Sequence, residues 1–460
     1  MPGWHAVIPA AIIAAMFLSG VEYAHASGFR IYGQGAAAAG QANAFTAQAD
    51  DPSAIHYNPA GLTQVRGLQL YGGAVLVGGS TDFLSPRGVT TQGNFGNSVA
   101  SPAPFNLYVA ANLEDVVKLK GWAVGVGVTT PFGLAYQYPT TAPFATAVFQ
   151  ETLPLIDVKP TLAYRLADQL SLGLGADIYT FSGLFSSTHA FDQKLLSSGG
   201  AGLPPAGVPL EFNGSDTAAG FNASLLYTPF RNSGGKPLVS LGLIYRSQVT
   251  LHLTGDFLAN GTPVTSARST LVLPQSFTAG MAVWPIRTGD REWKLELDVD
   301  YTDWKSVRNT DVHLGTGRTI PFRQDWRGTY TVMLGTEFRW LNLPPVPEWE
   351  LALRLGYRHS QTPVPDTAFN PALPDADLHV VATGVGAVCK LGGSLFGVLP
   401  CGSHQRFLPS AIGMDVAYEA FLFEPRTVSN NANPVAIPGS VNGTYHTTFH
   451  VASLNVRFFF

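Results

Sequence analysis

Few residues in this chain are of the kinds that do covalent chemistry, and their spacing assembles no reaction centre. Histidines are scattered at His189, His252, His313, His359 and His379, and no nucleophile-elbow sequence accompanies them. A lipase or deacylase needs a serine, a histidine and an orienting carboxylate or amide within hydrogen-bond reach, so a lipid-modifying enzyme is a rival reading without a motif. Cys389 and Cys401 bracket the glycine-rich stretch LGGSLFGVLP. Beyond an export signal they meet an oxidising space, where a disulfide clipping this loop is expected. A metal site competes poorly, since only His404 lies close by. No metal and no cofactor is expected.

The charged side chains follow a rhythm instead. From Trp293 to Tyr301 the odd positions are Trp293, Leu295, Leu297, Val299 and Tyr301, and the even ones are Lys294, Glu296, Asp298 and Asp300. Tyr330 to Trp340 and Trp349 to Arg358 repeat the pattern, with Glu337, Arg339, Glu350, Arg354 and Arg358 on the charged side. Successive side chains of a strand point to opposite faces, so each segment has one oily and one charged face. Trp122, Trp284, Trp293, Trp304, Trp326, Trp340 and Trp349 fall near segment ends, as in the aromatic girdles of membrane barrels. Oily faces then meet lipid, and the charged faces pair across a crowded lumen.

About fourteen such segments are expected, from 68–80 to 445–460, with the third near 121–135 and the seventh and eighth near 237–257 and 269–285. Long and short connections alternate, which puts both chain ends on the periplasmic side. The last segment keeps Ala452, Leu454, Val456, Phe458 and Phe460 on one face, while a bulge is suspected around His446 to His450. The fold class is therefore all-β: a transmembrane antiparallel β-barrel over residues 68–460.

Composition agrees. Charged residues are 13% of the chain, aromatics 11%, and glycines number 49, a low-charge pattern suited to lipid contact. A net charge of -4 without a basic run leaves no nucleic-acid footprint. Residues 1–26 read as a signal peptide, with Ala6 to Leu18 apolar and Ala24-His25-Ala26 as cleavage site; a short anchor is the alternative. No stretch reaches the length of a helical span. Residues 27–67 hold Gly33, Gly35, Ala36 to Ala39 and Gly40 but few large apolar side chains. A segment that cannot build its own core is expected to be packed inside the barrel as a hatch.

Several motifs then stand in order: Gly28-Phe29, Asp50-Asp51, Asn58-Pro59-Ala60, Pro131-Phe132-Gly133-Leu134, Ala163-Tyr164-Arg165-Leu166, GLIYRS over 242–247, Leu273-Pro274, Thr362-Pro363-Val364-Pro365-Asp366, Pro374-Asp375-Ala376-Asp377 and the terminal Phe460. In this order the chain resembles the FadL/TodX (OMPP1) family of outer-membrane transporters over nearly all of its mature length. The resemblance implies uptake of hydrophobic small molecules, long-chain fatty acids or aromatic hydrocarbons, across a bacterial outer membrane. It implies capture on extracellular loops, a pocket near the mature N-terminus, and lateral release through a gap at a kinked third strand.

Carried residue by residue, the resemblance assigns Phe29 to the pocket and Asn58, Pro59 and Ala60 to a hatch motif next to that strand. Gly125, Gly127 and Pro131 weaken the third strand, because proline lacks a donor and glycine packs nothing, and they fit a wall gap. Leu195, Leu196, Leu203, Val208 and Leu210 are apolar for a loop and suit the capture groove. Arg327 matches a basic residue of the fatty-acid transporters, and Ser182 stands where a second one is found. Expected partners are a hydrophobic small molecule and the surrounding lipid and lipopolysaccharide, with the chain a monomer. A general porin is a further rival, which the hatch argues against.

Overall fold

The structure is a computed structural model that describes residues 28–101, 103–181, 190–199, 203–395, 397–403, 405 and 408–460. The expected signal peptide, Ser27, Ser182, His189 and His404 lie outside the described residues.

Fourteen strands close into one antiparallel barrel. They are β1 Leu68–Leu84, β2 Phe105–Asn112, β3 Trp122–Thr129, β4 Leu155–Ala167, β5 Leu170–Phe181, β6 Ala218–Arg231, β7 Pro237–Arg246, β8 Ser276–Arg287, β9 Arg291–Thr302, β10 Thr329–Trp340, β11 Trp349–Ser360, β12 Leu378–Cys389, β13 Ala411–Phe423 and β14 Gly443–Phe459. Each pairs with its neighbours in sequence, and β14 pairs with β1 from Gln69↔Phe459 to Leu84↔Thr444, which closes the barrel. The oily faces point outward as the alternation demands; Leu174 is 57% and Leu355 60% exposed.

Three expectations need correction. The seventh and eighth strands are shorter than expected, because Val249–Ala259 and Thr262–Leu273 form a separate hairpin above the wall while β7 pairs directly with β8. The suspected bulge near His446–His450 is absent: β14 keeps its register against both neighbours, and His446 and His450 simply face outward above the apolar belt. The tryptophan girdle is only partial. Trp122, Trp293, Trp340 and Trp349 are half-buried at the short-turn end, Trp284 on β8 is buried at 8% exposure in a cluster with the hatch residue Ala47, and Trp304 and Trp326 turn inward and are buried at 1% and 7% exposure. Both follow or precede a strand rather than end one, so the strand parity does not govern them.

Residues 28–67 lie in the lumen, folded into the single turns Ala36–Ala39 and Ala54–Tyr57 and the 3-10 helix Pro59–Gln64. Small residues let this backbone meet the wall. A Cβ on Gly242 would lie 2.2 Å from the Thr46 carbonyl oxygen, and one on Gly356 2.2 Å from the Gln41 carbonyl carbon. The charged row of β9 holds the hatch by its backbone. Asp298 accepts from the Phe45 and Thr46 amides at 3.0 and 2.9 Å, and Glu296 from those of Ala47 and Gln48 at 2.7 and 3.2 Å. Hydrogen bonds to charged groups contribute on the order of 1.5–3 kcal/mol each, and without them these buried amides would have no partner. Charge pairing runs along the inner wall rather than across the lumen: Arg354 on β11 joins Glu337 on the adjacent β10 and Asp415 on β13, both at 2.6 Å.

Cys389 and Cys401 are joined as a disulfide, with Cα atoms 5.6 Å apart. It clips the β12–β13 connection, which carries the small hairpin Ser394–Leu395 and Leu399–Pro400 at the short-turn end.

Candidate functional site

Apart from bulges near the short turns, the wall is regular except where β1, β2 and β3 rise toward the long-loop end. Strand β3 is paired on both sides up to Thr129, which faces Asn106 on β2 and Asp157 on β4. At Pro131, which lacks an amide donor, the chain leaves the wall and enters the lumen. There it pairs with the start of the hatch: the Ile31 amide donates to the Pro131 carbonyl at 2.8 Å and the Gly133 amide to that of Phe29 at 3.0 Å. Gln34 staples the turn, accepting from the Thr130 amide at 3.1 Å and donating to its carbonyl at 3.0 Å. The chain then resumes as Leu134–Gln137, paired with Gln150–Leu153 of the loop region.

Strand β2 is short on the same side. It ends its pairing with β1 at Ala74↔Phe105, while β1 runs on to Leu84. The irregular residues 95–101 and 103–104 lie in this space. Their contacts to β1 include two backbone hydrogen bonds, Val75 amide to Pro104 carbonyl at 2.8 Å and Ala100 amide to Val77 carbonyl at 2.7 Å. Ser98, Val99 and Ser101 are exposed, while Phe95, Ala100 and Pro104 border a cavity. Described residues of this irregular stretch thus stand between the cavity and the outside.

That cavity measures about 200 Å³. Phe29, Phe132, Leu155, Phe421 and Phe449 give it an apolar lining, and Arg30, Arg358, Glu419 and Asp375 supply its polar groups. Phe29 is held in an aromatic nest, with ring centroids 5.7 Å from Phe132, 5.0 Å from Trp304 and 5.8 Å from Trp326. Arg30 is paired with Asp300 at 2.8 Å. Asp375, in the loop after β11, accepts from the Gly28 amide at 3.3 Å and the Thr362 hydroxyl at 2.6 Å. Burial pushes its carboxyl up to about 7.

The expected site residues fall in different places. Phe29 borders the cavity. Asn58, Pro59 and Ala60 open the 3-10 helix Pro59–Gln64, which lies over the wall from β2 and β3 to β6. They dock on β5 and β6, where Asn58 donates to the Leu225 carbonyl at 3.1 Å, Ala60 donates to the Ser224 hydroxyl at 2.9 Å, and Gly173 leaves room for the Pro59–Ala60 backbone. The hatch residue against β3 is Ile55, seated over Gly125 and Gly127. Those two glycines belong to an intact ladder, and the break begins beyond them at Thr130.

Leu195 and Leu210 face each other in the hairpin Phe191–Leu196 and Pro209–Gly214 and are buried within the loops; Leu196 and Leu203 are partly buried against the same core. Val208 is half-buried at that hairpin, and its carbonyl accepts from the Ser197 amide at 2.8 Å. Arg327 does not border the cavity; its amide and side chain bond to the Pro363 and Thr362 carbonyls. Sequence reasoning missed Trp304 and Trp326 at the nest and gave Arg30 and Arg358 no site role.

Comparison with known proteins agrees with this architecture. The family profile described as outer membrane protein transport protein (OMPP1/FadL/TodX) matches residues 17–390. A long-chain fatty acid transport protein of Escherichia coli O6:H1 is 24% identical over 361 residues, covering 72% of this chain and 76% of that protein. Its counterpart from Salmonella typhi is 24% identical over 360 residues, covering 73% and 78%. Among solved structures, a Pseudomonas aeruginosa FadL homologue superimposes with a TM-score of 0.68 at 17% identity, covering 94% of this chain and 99% of that one. The P. putida toluene transporter TodX gives 0.57 at 16% identity, covering 89% and 94%. With a profile match over most of its length and a closed fourteen-stranded barrel, the chain belongs to the OMPP1/FadL/TodX family of outer-membrane transport proteins.

Proposed function

We propose that this barrel takes up hydrophobic small molecules by holding them in the cavity beside Phe29 and releasing them sideways through the thin wall at segment 95–104. The observation that carries the reading is the coincidence of an apolar cavity with the one region where β2 is missing and β3 turns inward. The named substrates of relatives, long-chain fatty acids and toluene, bracket the chemical range. A lateral path suits such solutes because each exposed CH₂ costs about 0.8 kcal/mol in water. The downward path supports this by contrast. Beneath the hatch lies a vestibule of about 1240 Å³ bordered by Asp50, Asp51, Gln64, Arg339, Arg354 and Arg457, a polar route through which an apolar solute gains nothing.

The packed hatch disfavours a general porin. A transport role rather than a hydrolytic one is supported by the family match and by relatives named as transport proteins. Closure of the ladder on itself fits a monomer set in outer-membrane lipid. The test is Ala100→Trp, which fills the cavity. Binding of an apolar fluorophore to purified barrel, and accumulation of labelled toluene or fatty acid in cells, should both fall sharply. Wild-type values for both at equal surface expression would reject the cavity as the site.

A further inference from the structure

The rim of the wall above the apolar belt carries histidines that the transport reading leaves unused. In register, His359 on β11 lies beside His379 on β12, His379 beside Leu422 on β13, and Leu422 beside Thr448 on β14. His446 and His450 flank Thr448 on the same outward face of β14, opposite Asp82 and Gly78 of β1. The His359 and His379 rings lie 4.9 Å apart between centroids. Tyrosines brace the row from below: the Tyr357 hydroxyl lies 2.7 Å from His379 Nδ1 and the Tyr418 hydroxyl 2.6 Å from His450 Nδ1. With the phenol as donor, the neutral ring carries its own proton on Nε2. His379 turns that nitrogen to Glu424 at 3.2 Å, whereas His450 is exposed. Lysine and arginine are absent from the outward positions of β11 to β14. The charged groups that face the row are Glu424 after β13 and Asp82 on β1, which accepts from Gln92 at 2.7 Å. Tyr330 on β10, Tyr357 and Tyr418 are its other titratable neighbours, and Arg87 stands beyond it in the turn after β1. Imidazole therefore sets the sign of this strip: neutral rings leave two carboxylates, and protonated rings set four cations against those two.

We propose that this strip is a pH-dependent docking site for the phosphate of outer-leaflet lipid headgroups, holding them when its histidines are protonated and releasing them when the rings are neutral. Imidazole is the side chain whose charge changes between pH 5 and 8, and a protonated ring donates charge-assisted hydrogen bonds to phosphate oxygens. The occupant is a lipid because the wall below the row is apolar: Leu355, Val381, Val416 and Leu454 are exposed there, where the chains of a molecule held by its phosphate would lie. The strip ends beside the irregular residues 95–101, since a Cβ on Gly78, opposite His450, would lie 2.8 Å from the Ser98 carbonyl oxygen. The inference needs only that this wall faces outer-leaflet lipid and does not depend on the cavity or on the exit route.

Leu422→Cys labelled with bimane places a reporter inside the row, at an exposed outward position. The labelled barrel is reconstituted in phosphatidylcholine vesicles. Quenching by phosphatidylglycerol or phosphatidylcholine, each carrying a doxyl group near the headgroup, is titrated at about pH 5.5 and about pH 8, on either side of the imidazole transition. Phosphatidylglycerol keeps one charge across this range, so a change belongs to the protein. At the lower pH it should quench at about fivefold lower mole fraction than phosphatidylcholine, the scale of one cation beside an anionic headgroup. At the higher pH the preference should vanish or reverse. The quadruple variant His359→Gln/His379→Gln/His446→Gln/His450→Gln should lose the pH dependence. His450→Gln alone should weaken the preference at the lower pH, and it serves if the quadruple variant does not fold. Equal quenching by the two lipids at the lower pH overturns the inference, as does pH dependence that survives in the quadruple variant or a full preference in His450→Gln. Displacement of phosphatidylglycerol by millimolar inorganic phosphate also overturns it, making the row an ion site rather than a lipid site.

Discussion

Adding a single methyl at Gly125 tests how the hatch is seated against the wall. A Cβ there would lie 2.5 Å from Ile55 Cδ1 and 3.0 Å from the Val109 carbonyl oxygen, against ordinary carbon contacts of about 3.5–4.0 Å. Ile55 has little room to yield, because it is fully buried in a cluster with Tyr108, Ala110, Ala123 and Ala163. Gly127 closes the other side, where a Cβ would lie 3.0 Å from Ile55 Cγ2. Overpacking of this kind costs about 1–3 kcal/mol, and Ile55→Ala alone costs about 2–5 kcal/mol through the cavity it leaves. The two changes touch the same atoms, so in the double variant the penalties should partly cancel, with a coupling on the order of 1–2 kcal/mol. Stability is read from urea unfolding of the refolded barrel, and hatch displacement from ion conductance in planar bilayers. Gly125→Ala should lower stability and raise conductance, and adding Ile55→Ala should restore the seal. Strictly additive penalties, with no conductance change in Gly125→Ala, would refute the claim that these glycines exist to admit Ile55.

Other consequences can be checked in parallel. Cys389 and Cys401 are 12 positions apart, so replacing both by serine should cost about 3 kcal/mol by loop-closure entropy, seen as a lower urea midpoint. Glu151 and Asp375, both in the extracellular loops, have carboxyls raised by burial to about 7 from 4.5 and 3.8. Folded loops therefore bind more protons than unfolded ones, and their stability is full below pH about 4 and declines as pH rises toward 7. Limited proteolysis of those loops should be faster at pH 8 than at pH 5, and Glu151→Gln with Asp375→Asn should flatten the difference. Asn58→Ala should loosen the hatch, since it strips its donor from the Thr46 carbonyl at 2.8 Å and a tie to the wall at the Leu225 carbonyl, 3.1 Å away; a buried orphan costs about 1–3 kcal/mol, and raised conductance is the readout.

The barrel was legible because period two is a local property: Trp293 to Tyr301 shows its two faces without any knowledge of its neighbours. The hatch was legible by what it lacks, and the cysteine clip by its short spacing. The inward turn of Trp304 and Trp326 was not legible, because strand parity says nothing once the strand has ended. The seat of Asn58-Pro59-Ala60 on β5 and β6 depends on which lumen faces are small. Gly173 there and Gly125 on β3 look equivalent in sequence. The histidine row was not legible either, because His359, His379, His446 and His450 belong to three strands and meet only through the register of β11 to β14. The place of residues 95–101 and 103–104 beside β1 escaped notice because they carry no pattern, and the absence of upper β2 pairing beside β1 is apparent only when the ladder is laid out.

The central claim is that substrate leaves through the wall at segment 95–104, and a reversible lock tests it most directly. Ala100 donates its amide to the Val77 carbonyl at 2.7 Å and both side chains border the cavity, so a V77C/A100C pair, joined by a short bifunctional thiol reagent, fixes the segment to β1. Single-cysteine variants treated alike are the controls, and ligand binding and cellular uptake are measured on the same preparations. The account predicts that the cross-linked barrel still binds ligand but loses uptake, while the controls keep both. Uptake by the cross-linked barrel at the control rate would contradict it and send the exit route through the hatch to the periplasm.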